Sequence, residues 1–136
     1  MKKDTHENGL HTEYFKNGYK KIEGIYLKSQ RNGTWIEWYV NGQKKSKGNY
    51  KDGEKEGQWT TWHKNGQKKS KGTYGQYYRY YESTSTESLL DGDWNEWYSN
   101  GRKKTEGCYR GGAKDSTWKK WDEGGQLLKK EWFHIF

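Results

Sequence analysis

The sequence predicts an all-β fold, an antiparallel β-hairpin repeat array forming a single-layer twisted meander of about ten strands. Three observations predict it. A unit of the form W-x-x-W-x-x-N-G-x-K-K-x-x-G-x-Y returns every 24 residues, Asn-Gly pairs sit between runs rich in Trp, Tyr, Thr and Ile, and the glycines keep step with the tryptophans. A period of about 20 to 50 residues marks an array in which each unit buries its surface against its neighbours.

The first hairpin turns at Asn17-Gly18, and the series continues at Asn41-Gly42, Asn65-Gly66, Asn100-Gly101 and a degenerate Gly124-Gly125, in steps of 24, 24, 35 and 24. Tryptophans keep the same time as Trp35/Trp38, Trp59/Trp62, Trp94/Trp97 and Trp118/Trp121, with His11 and Tyr14 in their places in the first unit. Asn-Gly between β-prone runs is the strongest short hairpin signal, because a type I′ turn needs positive φ at both central residues. A two-residue turn sets Val40 against Gln43, then Trp38 against Lys45, Glu37 against Ser46 and Trp35 against Gly48. The same count pairs Trp62 with Lys69, Trp59 with Gly72, Trp97 with Lys104 and Trp94 with Gly107. One indole of each unit thus faces a bare glycine with room to lie across the next strand, and the other faces a lysine.

Between hairpins, Tyr50-Lys51-Asp52-Gly53-Glu54-Lys55-Glu56-Gly57 turns the chain back into the next unit, and Tyr26 to Trp35 and Tyr109 to Trp118 span the same length. Two strands per unit follow, in one domain over residues 1–136 with an insertion at 75–91. The last unit replaces the Lys-Lys pair with Leu127-Leu128. Trp132-Phe133, Ile135 and Phe136 then make residues 126–136 an apolar segment, read as a cap packed on the last hairpin, with an exposed docking tail as the alternative.

Composition supports a thin sheet rather than a two-layer core. Only 28% of the 136 residues are hydrophobic, mean hydropathy is −1.57, and 32% are charged. The nine Trp and twelve Tyr supply the apolar area, since an aromatic side chain buries about 150–250 Å². Alternation puts Trp35, Glu37 and Tyr39 on one face and Ile36 and Trp38 on the other, so neither face is wholly apolar. The first residues lack an apolar run of signal-peptide length and Cys108 is the single cysteine, so a cytoplasmic, reducing location is expected.

The string N-G-x-K-K-x-x-G-x-Y-x-x-G-x-x-x-G-x-W-x-x-W, written by Asn41 to Trp62 and nearly repeated from Asn17, resembles the MORN-repeat variant of bacterial proteins, often grouped as YwqK-like antitoxins. The resemblance covers about residues 9–133. It implies a β-hairpin array with a binding role, commonly the neutralisation of a toxin encoded nearby. The chain departs from the pattern at the insertion in unit three and at Arg110 to Ser116, where the glycine before Trp118 is missing.

Candidate sites divide between framework and function. The insertion carries Tyr77, Tyr78, Arg79, Tyr80 and Tyr81 ahead of a Ser/Thr run, and tyrosine offers broad amphipathic contact area at small entropic cost. Its framework reading is two lengthened strands with a flexible tip. Trp38, Trp62 and Trp97 join it as partner-binding candidates. The lysine pairs contribute much of the net charge of +8, and Lys45, Lys69 and Lys104 are candidates for anion contact, as on a track for phosphates with indoles for bases. Their framework reading is a solvated sheet surface that resists edge pairing. The histidines are scattered and no metal-ligand spacing occurs, so no metal, cofactor or catalytic residue is expected.

The reading is a non-catalytic protein that neutralises or inhibits a protein partner such as a toxin, nuclease or other effector. Its alternatives are a cationic-aromatic surface for nucleic acid or anionic lipid, and a structural spacer. A membrane partner is not expected, and the sheet edge leaves room for an oligomer.

Overall fold

The computed structural model describes residues 8–78 and 86–134, all of them in strands or their connecting turns. Eleven strands follow one another: β1 (Asn8–Tyr14), β2 (Lys20–Leu27), β3 (Gln30–Trp38), β4 (Lys44–Lys51), β5 (Glu54–Trp62), β6 (Lys68–Tyr78), β7 (Thr86–Leu90), β8 (Gly92–Trp97), β9 (Lys103–Arg110), β10 (Ala113–Trp121) and β11 (Leu127–Phe133). They pair antiparallel in one open sheet in chain order, except that β8 follows β6 and β7 lies off that path, on β6. Ten strands are the two per unit that the period requires. The eleventh comes from the insertion: β7 runs back along β6 from Thr86 opposite Tyr78 to Leu90 opposite Tyr74, and β8 then pairs β6 through Asn95 and Lys71. The break in the period is therefore a lengthened hairpin. Residues 75–89 lie between the paired Tyr74 and Leu90, where only 51–54 lie between Tyr50 and Lys55.

The Asn-Gly turns differ from expectation. Gly42 N–H donates to the Tyr39 carbonyl at 3.0 Å and Tyr39 N–H to the Gln43 carbonyl at 2.8 Å. Gly42 has φ of 88°, while neither Val40 nor Asn41 has positive φ. The loop is therefore the three residues Val40-Asn41-Gly42, a turn closed by a left-handed glycine bulge rather than type I′. This sets Trp38 opposite Lys44, not Lys45, and Lys45 becomes an extra residue in the ladder before Glu37 meets Ser46 and Trp35 meets Gly48. Trp62 opposite Lys68 and Trp97 opposite Lys103 repeat the correction. Two one-residue shifts cancel, so the expected pairing holds only beyond the second.

Asparagine earns its place by its side chain. Asn41 Oδ1 accepts from Gln43 N–H at 3.0 Å while Nδ2 donates to the Lys64 carbonyl in the next loop at 2.8 Å. Asn17, Asn65 and Asn100 reach the Val40, Ser99 and Glu123 carbonyls in the same way, making a ladder along one rim of the sheet. Gly124 takes the asparagine's place in the last unit.

Side-chain packing also joins successive units. Trp35 is opposite Gly48 in register, but its ring covers Gly24 of the preceding unit, where a Cβ would come within 2.0 Å of the indole. Its Nε1–H donates to the Ile25 carbonyl at 3.1 Å. Trp59 on Gly48 and Trp118 on Gly107 repeat both contacts. Trp94 covers Gly72 but turns its Nε1–H to Glu96 Oε1 at 2.9 Å. The ring reaches its glycine because the ladder bulges before it: Ile25 pairs with Asn32 but Glu23 with Ile36, and Gly33 inside the bulge has φ of 69°. Ser116 adopts φ of 61° at the equivalent place.

Trp35, Trp59 and Trp118 are the buried hydrophobic residues among those described. Tyr26, Tyr50 and Tyr109 meet them edge-on at 5.0, 5.0 and 4.9 Å, so the core is a line of rings across one face. At the ends, His11 stacks on Trp35 at 6.2 Å, and Glu131 stands opposite Trp118 where the other units carry glycine. Of the expected cap, Phe133 lies beneath Lys114 at 5.4 Å, whereas Trp132 is 68% exposed. Ile135 and Phe136 lie outside the described residues.

Candidate functional site

On the aromatic face a cation covers the indole at three of the four junctions, and Leu90 takes its place before Trp94. The Arg31 guanidinium lies 4.3 Å from the Trp35 ring centre and 5.4 Å from Tyr50, and Lys55 sits 4.7 Å from Trp59 and 5.3 Å from Tyr74. Lys114 covers Trp118 at 4.7 Å. Burial works to lower the Arg31 pKa, but hydrogen bonding to Tyr26 and Tyr50 leaves it raised. These cations stack on rings whose other sides are packed, so they belong to the framework. Polar tips are used likewise: Tyr39 Oη donates to the Trp62 carbonyl at 2.7 Å, Tyr98 Oη to Trp121 at 2.8 Å, and His63 Nε2 meets the Trp97 carbonyl at 2.8 Å.

Trp38, Trp62 and Trp97 are half-buried, and their cations come from more than one place. Lys20 and Lys44 reach forward over Trp38 and Trp62 of the next unit, each at 5.9 Å, whereas Lys103 covers Trp97 of its own unit at 5.2 Å. Lys45 instead lies over Tyr39 at 5.9 Å and Lys104 over Tyr98 at 5.6 Å. Lys45 and Lys69 share a hollow with Glu37 and Ser46. Ser46 alternates with Lys47, so this hollow opens on the aromatic face. The bulge at the second lysine of each pair thus parts the lysines that sequence reasoning selected from Lys44 and Lys68.

The opposite face holds what that reasoning missed. Pairing runs straight across it from Ile36 to Lys47, Thr60, Lys71 and Asn95, and on to Glu106, Lys119 and Lys130. Lys44, Lys47, Lys68 and Lys71 line one open groove there with Trp62. The signal for Lys47 and Lys71 was the recurring K-K-S-K-G at Lys44–Gly48 and Lys68–Gly72, in which the lone lysine before glycine resembles filler.

In the insertion, Tyr77 and Tyr78 run in β6 opposite Glu87 and Thr86, and Ser88 Oγ donates to the Lys55 carbonyl, tying β7 to β5. Arg79, Tyr80 and Tyr81 lie outside the described residues. Burial, then Asp93, Asp115 and Asp91, pushes the Cys108 thiol up, which disfavours a thiolate there. Among the described residues no group of three His, Cys, Asp or Glu side chains could hold a metal ion.

Fold and contacts together define an antiparallel hairpin-repeat protein whose units are joined by indole on glycine and asparagine on carbonyl. Residues 31–52 and 55–74 match the model of the MORN repeat variant family. A comparison with curated proteins returns no match. The matched repeats suggest a repeat-based binding protein.

Proposed function

We propose that this chain is a non-catalytic binding protein that occludes a protein partner, in the manner of an antitoxin or immunity protein against a toxin or nuclease. The observation that carries the reading is the lengthened β6–β7 hairpin. Elsewhere each junction closes on itself through the same ring, cation and asparagine contacts, whereas here the period is broken by a segment those contacts do not need. Insertions in arrays mark the face that meets a partner, and tyrosines in such a segment give contact area with little rotamer entropy to lose.

The test replaces Tyr77, Tyr78, Tyr80 and Tyr81 together by Ser. Proteins captured by the parent chain from its source cells are quantified beside those captured by the variant, and the protein lost is purified and titrated by calorimetry. We expect at least about a tenfold loss of affinity, about 1.4 kcal/mol, with far-UV circular dichroism unchanged. Adding the parent chain is also expected to suppress the partner's activity. Equal capture by both chains removes the hairpin from the mechanism.

A further inference from the structure

Lys44 and Lys47 on β4 stand two strands from Lys68 and Lys71 on β6, a separation of roughly 9–10 Å set by strand spacing. The four line an open groove of about 440 Å³ with Trp62, and no carboxylate is among its lining residues. None of the four forms an ion pair among the described residues. On either side of them the lysines do find carboxylates: Lys20 pairs with Glu23 at 2.8 Å, and Lys103, which also donates to Asn95 Oδ1 at 2.7 Å, lies 4.0 Å from Glu106. The four therefore form one patch of unpaired charge across β4, β5 and β6, set apart from Lys119 and Lys130 further along the same face by Lys103 and Glu106.

We infer that this groove binds single-stranded nucleic acid, its phosphates lying across Lys44, Lys47, Lys68 and Lys71 and a base meeting the Trp62 indole. The inference goes beyond the proposed function and does not use the insertion. Lysine is depleted from the cores of protein interfaces because its compact ammonium is costly to dehydrate, whereas on a polyanion it gains by releasing condensed counterions. Four lysines with no arginine therefore favour a phosphate backbone over a protein surface. A bilayer would need apolar insertion beside the charge, and Thr34, Asn49, Gln58 and Thr60, which line the rest of the groove, offer none. An indole beside the track offers a stacking surface to an unpaired base, which a duplex keeps inside its helix.

The probe is a fluorescein-labelled oligothymidylate of about twelve residues, within the usual site size for single strands, measured by anisotropy with the full chain. Four phosphate contacts give a single-strand salt slope of about −2.8, so affinity falls about 50-fold between about 50 and about 200 mM salt. Lys47→Gln with Lys71→Gln leaves two contacts, and the same change in salt then costs about sevenfold. Lys119→Gln with Lys130→Gln removes equal charge from the same face outside the groove and keeps the larger dependence. Should the first pair lose its far-UV signature, Lys44→Gln with Lys68→Gln carries the same expectation. No binding at low salt overturns the proposal, as does an equal loss from both pairs of substitutions. So does displacement of the oligonucleotide by duplex DNA, phosphatidylserine vesicles or polyglutamate at lower concentrations of charge than unlabelled single strand.

Discussion

Replacing Gly48 by Ala adds one carbon at the most crowded point of a junction. The new Cβ would lie 2.1, 2.2 and 2.5 Å from the Cδ2, Cε2 and Cγ atoms of Trp59. Carbons rest about 3.5–4.0 Å apart, so the indole must retreat by roughly 1.5 Å. That retreat breaks the 3.0 Å bond from Trp59 Nε1–H to the Asn49 carbonyl, and an orphaned buried donor costs about 1–3 kcal/mol. The edge contact with Tyr50 at 5.0 Å, worth about 0.5–1.5 kcal/mol, is weakened at the same time. These losses overlap, and alanine recovers about 0.4–1 kcal/mol by stiffening the unfolded chain, leaving a net destabilisation of about 1–3 kcal/mol. Urea unfolding followed by circular dichroism measures it, with Gly124→Ala as a control expected to change stability by no more than about 0.5 kcal/mol. A double-mutant cycle with Trp59→Ala should show the Gly48→Ala cost largely vanishing once the ring is gone. A loss below about 1 kcal/mol, or an undiminished loss in the Trp59→Ala background, would refute indole-on-glycine packing as the junction's mainstay.

Two further outcomes follow from the same geometry. Ser116 holds φ of 61° where Gly33 and Gly57 serve elsewhere, so Ser116→Gly is expected to stabilise the chain by about 1 kcal/mol in the same urea assay, and a loss of stability would contradict the strain. Burial holds the Tyr74 and Tyr109 phenols above their ordinary value of 10.0. The folded chain then keeps protons that the unfolded chain releases, so this stability is whole below about pH 10 and declines as pH rises through the folded values. Tyr74→Phe with Tyr109→Phe should flatten part of the decline in urea midpoints above pH 10, and an unaltered pH slope would refute it.

Much of the fold was legible because the period made each residue type appear in the same role several times. Trp35 against Gly48 and Glu37 against Ser46 could be counted from the turn, and they stand. The turn itself could not be read that way. Asn-Gly fits a type I′ turn by backbone preference, but Asn41 is held by a carbonyl 23 residues away, a contact that local conformational preference does not encode. The residues near the turn were misaligned for the same reason, and with them the choice of lysines. A one-residue bulge sends a side chain to the other face, which is enough to exchange Lys44 for Lys45 in any reading of charge. The glycine clearance was legible in kind but not in direction, since Trp59 covers the glycine of the preceding unit rather than the one it pairs with.

The contacts between units have a further consequence for how such a chain changes over generations. Each interior junction meets its neighbour with the same asparagine, ring and bare glycine, so duplicating or deleting one 24-residue segment there leaves matching surfaces on both sides. A segment copied beyond β11 would meet Glu131 where its tryptophan needs open backbone, and Gly124 where its loop needs an amide donor. Heredity can therefore lengthen or shorten this protein from the middle, while growth past β11 first requires those two residues to mutate.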